Sequence, residues 1–293
     1  MDFNLSDSEG MLREAAASFL RNAATPEALT LWEQSAGGYD EALWKEMSEL
    51  GWVQIAVPAE LGGPGGDLLH LGILLEEVGR SALASPLREC ATVSAILSRL
   101  LNPERIKTGL LTRIAAGAVV VLMLPPQEDF ATARPASGSF RVDSSPMLVD
   151  WAPTAETIVC TAESNDGKIL LLAVPAAQLG VTVDPVRTFD NERPGSVSFD
   201  GASANVVTEI SRRELDEMRS LSSVLRIAEI LGAADAMQEM TISHIKSRVQ
   251  FGHPIGSFQA VRHKSADMAM DLDGIRLTTY EALWRADQGF DFL

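Results

Sequence analysis

The feature that most constrains this chain is a change of hydrophobic period between residues 115 and 210. There, short runs rich in Val, Ile and Leu (VVVLML, ETIVCTA, KILLLAV, VTVDPV, SVSFDG) alternate with clusters of Pro, Gly, Ser, Asn and Asp. Such runs and breaks predict a small antiparallel β domain. The turns are explicit at Pro135-Ala-Ser-Gly138, Ser164-Asn-Asp-Gly167 and Asn191-Glu-Arg-Pro-Gly195. On both sides the spacing is helical. Ser6 and Glu9 have the spacing of a capping box, and Met11, Leu12, Ala15, Phe19 and Leu20 then form one apolar face. Asp40 is placed to cap DEALWKEMSEL before Gly51, and LLHLGILLEEVGR (68–80) and SPLRECATVSAILSRL (85–100) continue the pattern. A long helix is expected over 213–249, and a second from near Ser257 to Gln288. The expected fold is α+β, with an N-terminal helical domain (1–114), a middle β domain (115–210) and a C-terminal helical domain (211–293).

With 24 basic and 40 acidic side chains, a net charge of −16 argues against nucleic acid and anionic membranes, which are bound by clustered Lys and Arg. Only 22% of residues are charged and 46% are hydrophobic, so a folded core is expected rather than acidic disorder. Cys90 and Cys160 provide neither a disulfide framework nor CxxC spacing. The start MDFNLSDSEG has no signal-peptide pattern, and no apolar run approaches the ~20 residues of a membrane span. These features predict a soluble, cytoplasmic protein.

Several motifs fail as chemistry. Gly62-Gly63-Pro64-Gly65-Gly66 is neither a dinucleotide fingerprint nor a P-loop, and reads as a tight loop or as one wall of a ligand pocket. His70, His244, His253 and His263 lack metal-site spacing, so no metal is expected. G-x-S-x-G is absent.

The segment RVQFGHPIGSFQAVRHKSADM (248–268) reads as a helix end, a Gly-Pro turn and a new helix start, with Phe251, Ile255 and Phe258 apolar where the chain turns. It is open to two readings from the residues alone. One is helix-hairpin packing with Arg248 as a C-terminal charge; the other is a site for a planar, phosphate-bearing ligand, with Arg248 for phosphate, an aromatic for a ring and Gln259 for polar edges.

This segment resembles the acyl-CoA dehydrogenase signature R-x-x-F-G-x-x-I-x-x-F-Q, matched by Arg248, Phe251, Gly252, Ile255, Phe258 and Gln259. VPAELGGPGGDLLHLGILLEEVGR (57–80) resembles the family's second signature, and the order helical, β, helical agrees. The resemblance implies an FAD cofactor and an acyl-CoA substrate. It also implies a homodimer or tetramer, or a heteromer with a related dehydrogenase subunit. By it, Arg248 would contact the FAD pyrophosphate in a neighbouring subunit, Phe251 would line the adenosine side and Gln259 would hydrogen-bond there. The family reaction is α,β-desaturation of the thioester by a carboxylate base, with hydride passing to the flavin.

The departures carry equal weight. The family's further C-terminal helices, with a Gly-Gly FAD contact and the usual catalytic Glu, fall beyond Leu293, so the C-terminal domain is expected to be truncated. The alternative base position falls near Ser222, and no carboxylate occurs between Arg219 and Ala228. Glu229 is assigned to a solvated or paired face. LMLPPQEDF (122–130) does not match the family's flavin loop, and Val149-Asp150-Trp151-Ala152 only echoes its Trp-Ile-Thr segment; Trp151 reads as a core side chain. Three interpretations stay open: a truncated enzyme, a base-lacking subunit of a heteromer, and a non-catalytic scaffold. On any of them the catalytic residue is unassigned and the isolated chain is expected to be inactive.

Overall fold

The computed structural model describes residues 5–101, 106, 109–125, 129–189 and 192–292. Its helices are α1 (Asp7–Ala23), α2 (Pro26–Gln34), α3 (Glu41–Glu49), α4 (Leu68–Arg80), α5 (Leu87–Ala95), α6 (Leu110–Ala115), α7 (Arg212–Ser247) and α8 (Gln259–Asp287). Its strands are β1 (Val120–Met123), β2 (Ala131–Ala136), β3 (Ser139–Val149), β4 (Thr157–Ser164), β5 (Ile169–Pro175), β6 (Val181–Pro185), β7 (Gly195–Ile210), β8 (Val249–Gln250) and β9 (His253–Pro254). Among the described residues no helix is long and apolar enough to cross a membrane. The expected α+β order is present.

Local signals act where the sequence places them. Ser6 and Glu9 exchange both bonds of the capping box at the start of α1. Asp40 accepts from the Leu43 amide at 2.7 Å, and Gly51 turns left-handed just past α3. Gly167 does the same in the β4–β5 turn, and Gly138 in the β2–β3 turn. In the third expected turn, Asn191 lies outside the described residues.

The chain packs as two compact units: one takes the chain up to Pro26, Leu68–Leu83 and Ser223–Phe292, the other Glu27–Asp67 and Ala84–Ser222. These units do not coincide with the three sequence segments.

In the first unit α4 packs on α1 and α8 and is buried on almost every face, Leu71, Ile73, Leu74 and Leu75 completely. Its two carboxylates are therefore buried too and must be paired. Glu76 accepts from the Tyr280 hydroxyl at 2.5 Å and from Arg276 at 3.2 Å, and Arg13 pairs with Glu76 and Glu77. Burial pushes the Glu77 carboxyl above its usual range, against the opposing pull of Arg13 and Arg80.

The second unit is built on a mixed sheet. β2–β3–β7–β5–β4 pair in a closed circuit, because β4 returns to pair with β2. The pairings are antiparallel except at β4, which runs parallel to β1 and β2. The antiparallel reading thus holds for the hairpins, while the parallel pairs are formed between strands distant in sequence. β7, 16 residues long, pairs with β6 through its first half and β5 through its second. α5 packs against β1, and Arg88 on α5 is only 5% exposed. It is held by Glu89, Asp150 and Glu192, the last at 2.8 Å.

Candidate functional site

The six residues of the signature lie together at one end of the α7–α8 pair. α7 stops at Ser247 and the Arg248 amide donates to the His244 carbonyl at 2.8 Å. The Arg248 carbonyl then accepts from the Ile255 amide at 2.8 Å, and β8 and β9 form a minimal ladder around the turn. Both turn residues have positive φ, +54° at Phe251 and +80° at Gly252. Such a turn suits Gly252, whereas a side chain in this region costs about 1–2 kcal/mol.

Phe251 is 90% exposed, and its ring meets the edge of Phe258 with centroids 6.1 Å apart. Ile255 is half-buried in a single 3-10 turn; Phe258 is 38% exposed and precedes α8. Arg248 and Gln259 are exposed, and among the described residues neither side chain makes a hydrogen bond or ion pair. A guanidinium, an amide and two rings are thus presented outward on a strained turn. Strain of this kind persists only where the surrounding structure over-determines it, and it clusters at binding and active sites. The donor set fits a ligand with phosphate, a planar ring and polar edges, and FAD has all three.

The region set against the flavin loop lies in the second unit. Pro126, Gln127 and Glu128 of LMLPPQEDF fall outside the described residues. At its start, Arg219 of α7 donates to the Pro125 carbonyl at 3.1 Å and pairs with Asp216. At its end, the Arg212 guanidinium lies 5.6 Å from the centre of the Phe130 ring. Met123, Pro125, Asp129, Ser144 and Thr161 enclose a cavity of about 20 Å³. Among the described residues the buried Thr161 hydroxyl has no hydrogen-bond partner. Trp151 is 1% exposed, with its ring edge-on to Tyr39 at 5.7 Å, which is the core role read from the sequence.

Other candidates resolve into structure. The glycine-rich loop wraps its own chain: a Cβ at Gly63 would overlap the Val57 carbonyl, Gly65 donates to that carbonyl, and Arg99 holds the Ala56 and Gly66 carbonyls. Burial pushes both thiols, Cys90 and Cys160, up to about 12, so neither is a thiolate at neutral pH. Glu229 is half-buried at the point where the α7 backbone touches Gly79.

Two family models match the chain: acyl-CoA dehydrogenase, N-terminal domain, over residues 6–118, and acyl-CoA dehydrogenase, C-terminal domain, over residues 213–292. This chain belongs to the acyl-CoA dehydrogenase family. It is 28% identical to the acyl-CoA dehydrogenase IpdE2 of Mycobacterium tuberculosis, over 93% of this chain and 74% of that protein. It superposes on a chain of the ChsE4–ChsE5 complex from Mycobacterium tuberculosis with a TM-score of 0.88 at 26% identity, covering 98% of this chain and 80% of that one. It shares the fold of PigA, solved with FAD and proline, with a TM-score of 0.82 at 23% identity, covering 100% and 82%. The acyl-CoA dehydrogenase family is one of FAD flavoproteins, and the hairpin signature lies within the matched C-terminal domain.

The sequence reading missed two groups. The buried Arg88 cluster was signalled only by an Arg-Glu pair inside an otherwise uncharged helix. The other is a run of cations around the hairpin, legible only as a local absence of acid.

Proposed function

We propose that this chain is an FAD-binding acyl-CoA dehydrogenase subunit serving α,β-desaturation of an acyl-CoA thioester, with the base supplied from outside α7. The observation that carries this reading is the outward, unpartnered presentation of Arg248 and Gln259 beside the strained, exposed Phe251. Arg248 binds a pyrophosphate through charge-assisted hydrogen bonds, Phe251 covers an adenosine face and Gln259 bonds a polar edge. Ile255 and Phe258 back the turn. Bound FAD would supply a two-electron acceptor for the substrate's β-hydride.

Proton removal from Cα needs a carboxylate, and such assistance contributes typically ~10²–10⁴-fold. Residues 220–228 of α7 carry none, and Asp216 one turn earlier is paired with Arg219. A heteromer in which a related subunit supplies the base is favoured by the likeness to a chain of the ChsE4–ChsE5 complex. A scaffold role is the second reading, favoured by the divergence at 122–130.

The test is the visible spectrum and acyl-CoA desaturation activity of the purified 293-residue chain, alone and co-expressed with a related dehydrogenase. A flavin spectrum is expected, strongest in the mixed preparation, with turnover only there. Absence of flavin in every preparation overturns FAD binding. Robust turnover by the chain alone overturns the missing base, and Glu229→Gln is then the first substitution to make.

A further inference from the structure

Residues 240–266 contain Lys246, Arg248, Arg262 and Lys264, three of the four histidines, and no Asp or Glu. The other 266 residues carry 20 basic against 40 acidic side chains. The structure gathers this run at the hairpin end of α7 and α8, with Gly256 packed on Ile245 and Gln238 donating to the Ser265 carbonyl across the pair. Lys246, Arg248, Arg262 and Lys264 are all exposed, and among the described residues none of these four side chains is hydrogen-bonded or ion-paired.

Helix energetics explain only part of this. Lys246 is in the last turn of α7, where a cation suits the dipole. Arg262 and Lys264 lie in the opening turns of α8, where the dipole opposes them, and the first turn of α8 has no acid. The signature itself uses one cation, Arg248. The three others make an electropositive end on a chain whose remaining charge repels anions.

We infer that Lys246, Arg262 and Lys264 form an electrostatic collar that draws the FAD diphosphate to Arg248, setting how fast the cofactor associates without holding it once bound. This rests on the FAD reading above. Local fields of one sign raise ligand on-rates by ~10–10³-fold, and their reach shrinks from about 30 Å at 0.01 M salt to about 10 Å at 0.1 M.

The test is stopped-flow quenching of FAD fluorescence on the flavin-free protein across ionic strength. The variant is Lys246→Gln, Arg262→Gln and Lys264→Gln combined. A control combining Lys45→Gln, Arg113→Gln and Arg134→Gln makes the same change of net charge at exposed sites elsewhere. The collar variant is expected to associate about tenfold more slowly at 0.01 M salt, with dissociation within twofold of wild type. The difference should vanish by 0.5 M salt, and riboflavin, which has no phosphate, should bind alike to all three proteins. An unchanged salt dependence, an equal slowing in the control, or a matching rise in dissociation each overturns the collar. Failure of the wild-type protein to take up FAD both alone and with a related dehydrogenase subunit overturns the FAD reading instead.

Discussion

Gly232 on α7 lies directly against the backbone carbonyl of Glu76 on α4: a Cβ at position 232 would overlap that oxygen. The relation is reciprocal, since a Cβ at Gly79 would overlap the Glu229 carbonyl. Two glycines thus let the helices approach backbone to backbone, and the Glu76 side chain is anchored from the other side by Arg276 and Tyr280. Gly232→Ala should therefore destabilise the protein by ~1–3 kcal/mol through forced displacement of α4. Gly274→Ala, at an exposed α8 position where a Cβ meets nothing within 4 Å, should instead stabilise by about 0.5–1 kcal/mol. Urea unfolding of the pair checks both signs.

Glu77 gives a pH dependence of defined sign. Burial raises its pKa in the folded state above the ordinary value near 4.5, so the folded chain holds this proton where the unfolded chain has lost it. Its contribution to stability is present below pH 4.5 and is lost as pH rises through the raised folded value. In melting curves from pH 4 to 8, Glu77→Gln should lose this part of the decline. A variant whose profile parallels wild type throughout would count against the shift.

Phe251 sets stability against binding. Phe251→Gly removes the cost of a side chain at φ +54° and should stabilise the flavin-free protein by about 1 kcal/mol. The same change should weaken FAD retention through lost ring contact. Arg248→Ala should weaken retention more, by roughly 1.5–3 kcal/mol or about ten- to a hundredfold, without altering the melting temperature. Equilibrium dialysis of FAD with parallel calorimetry separates the two effects.

α7 and α8 predict association. Ile227, Ile230, Met237 and Met240 on α7, and Met268, Met270, Ile275 and Leu277 on α8, are exposed. Apolar surface costs ~25 cal/mol per Å² in water, so a dimer or larger is expected at micromolar concentration in sedimentation. Ile230→Glu combined with Met237→Glu should shift the protein toward monomer with helicity retained. A wild-type monomer of full helicity would refute this.

The sequence was legible wherever structure depends on near neighbours. Ser6 with Glu9, Asp40 before α3, Gly167 in its turn and Gly289 beyond α8 act through backbone groups a few residues away, so their spacing alone carries the information. The hairpin residues were legible for the same reason: Arg248, Phe251, Ile255, Phe258 and Gln259 all fall within twelve consecutive positions. The hydrophobic period marked most elements, but β2 and β3 were implied only by their turn, since ATARPA and SFRVDSSPMLV are neither cleanly alternating nor apolar.

What tertiary structure decided are relations between residues that no period connects. The parallel pairing of β4 with β2 follows from closing a circuit of four antiparallel pairs, and β1 joins β4 from outside that circuit; local propensity encodes neither. Glu76 and Glu77 lie in a run whose spacing marks a helix and nothing more; burial of α4 on almost every face makes them the centre of an ion-paired core. The cations at 246, 262 and 264 are scattered in sequence, and only the reversal of the chain at Phe251–Gly252 brings them to one end. Short-range hydrogen bonding is written in spacing, whereas desolvation and long-range fields depend on which surfaces meet, and only the folded chain determines that.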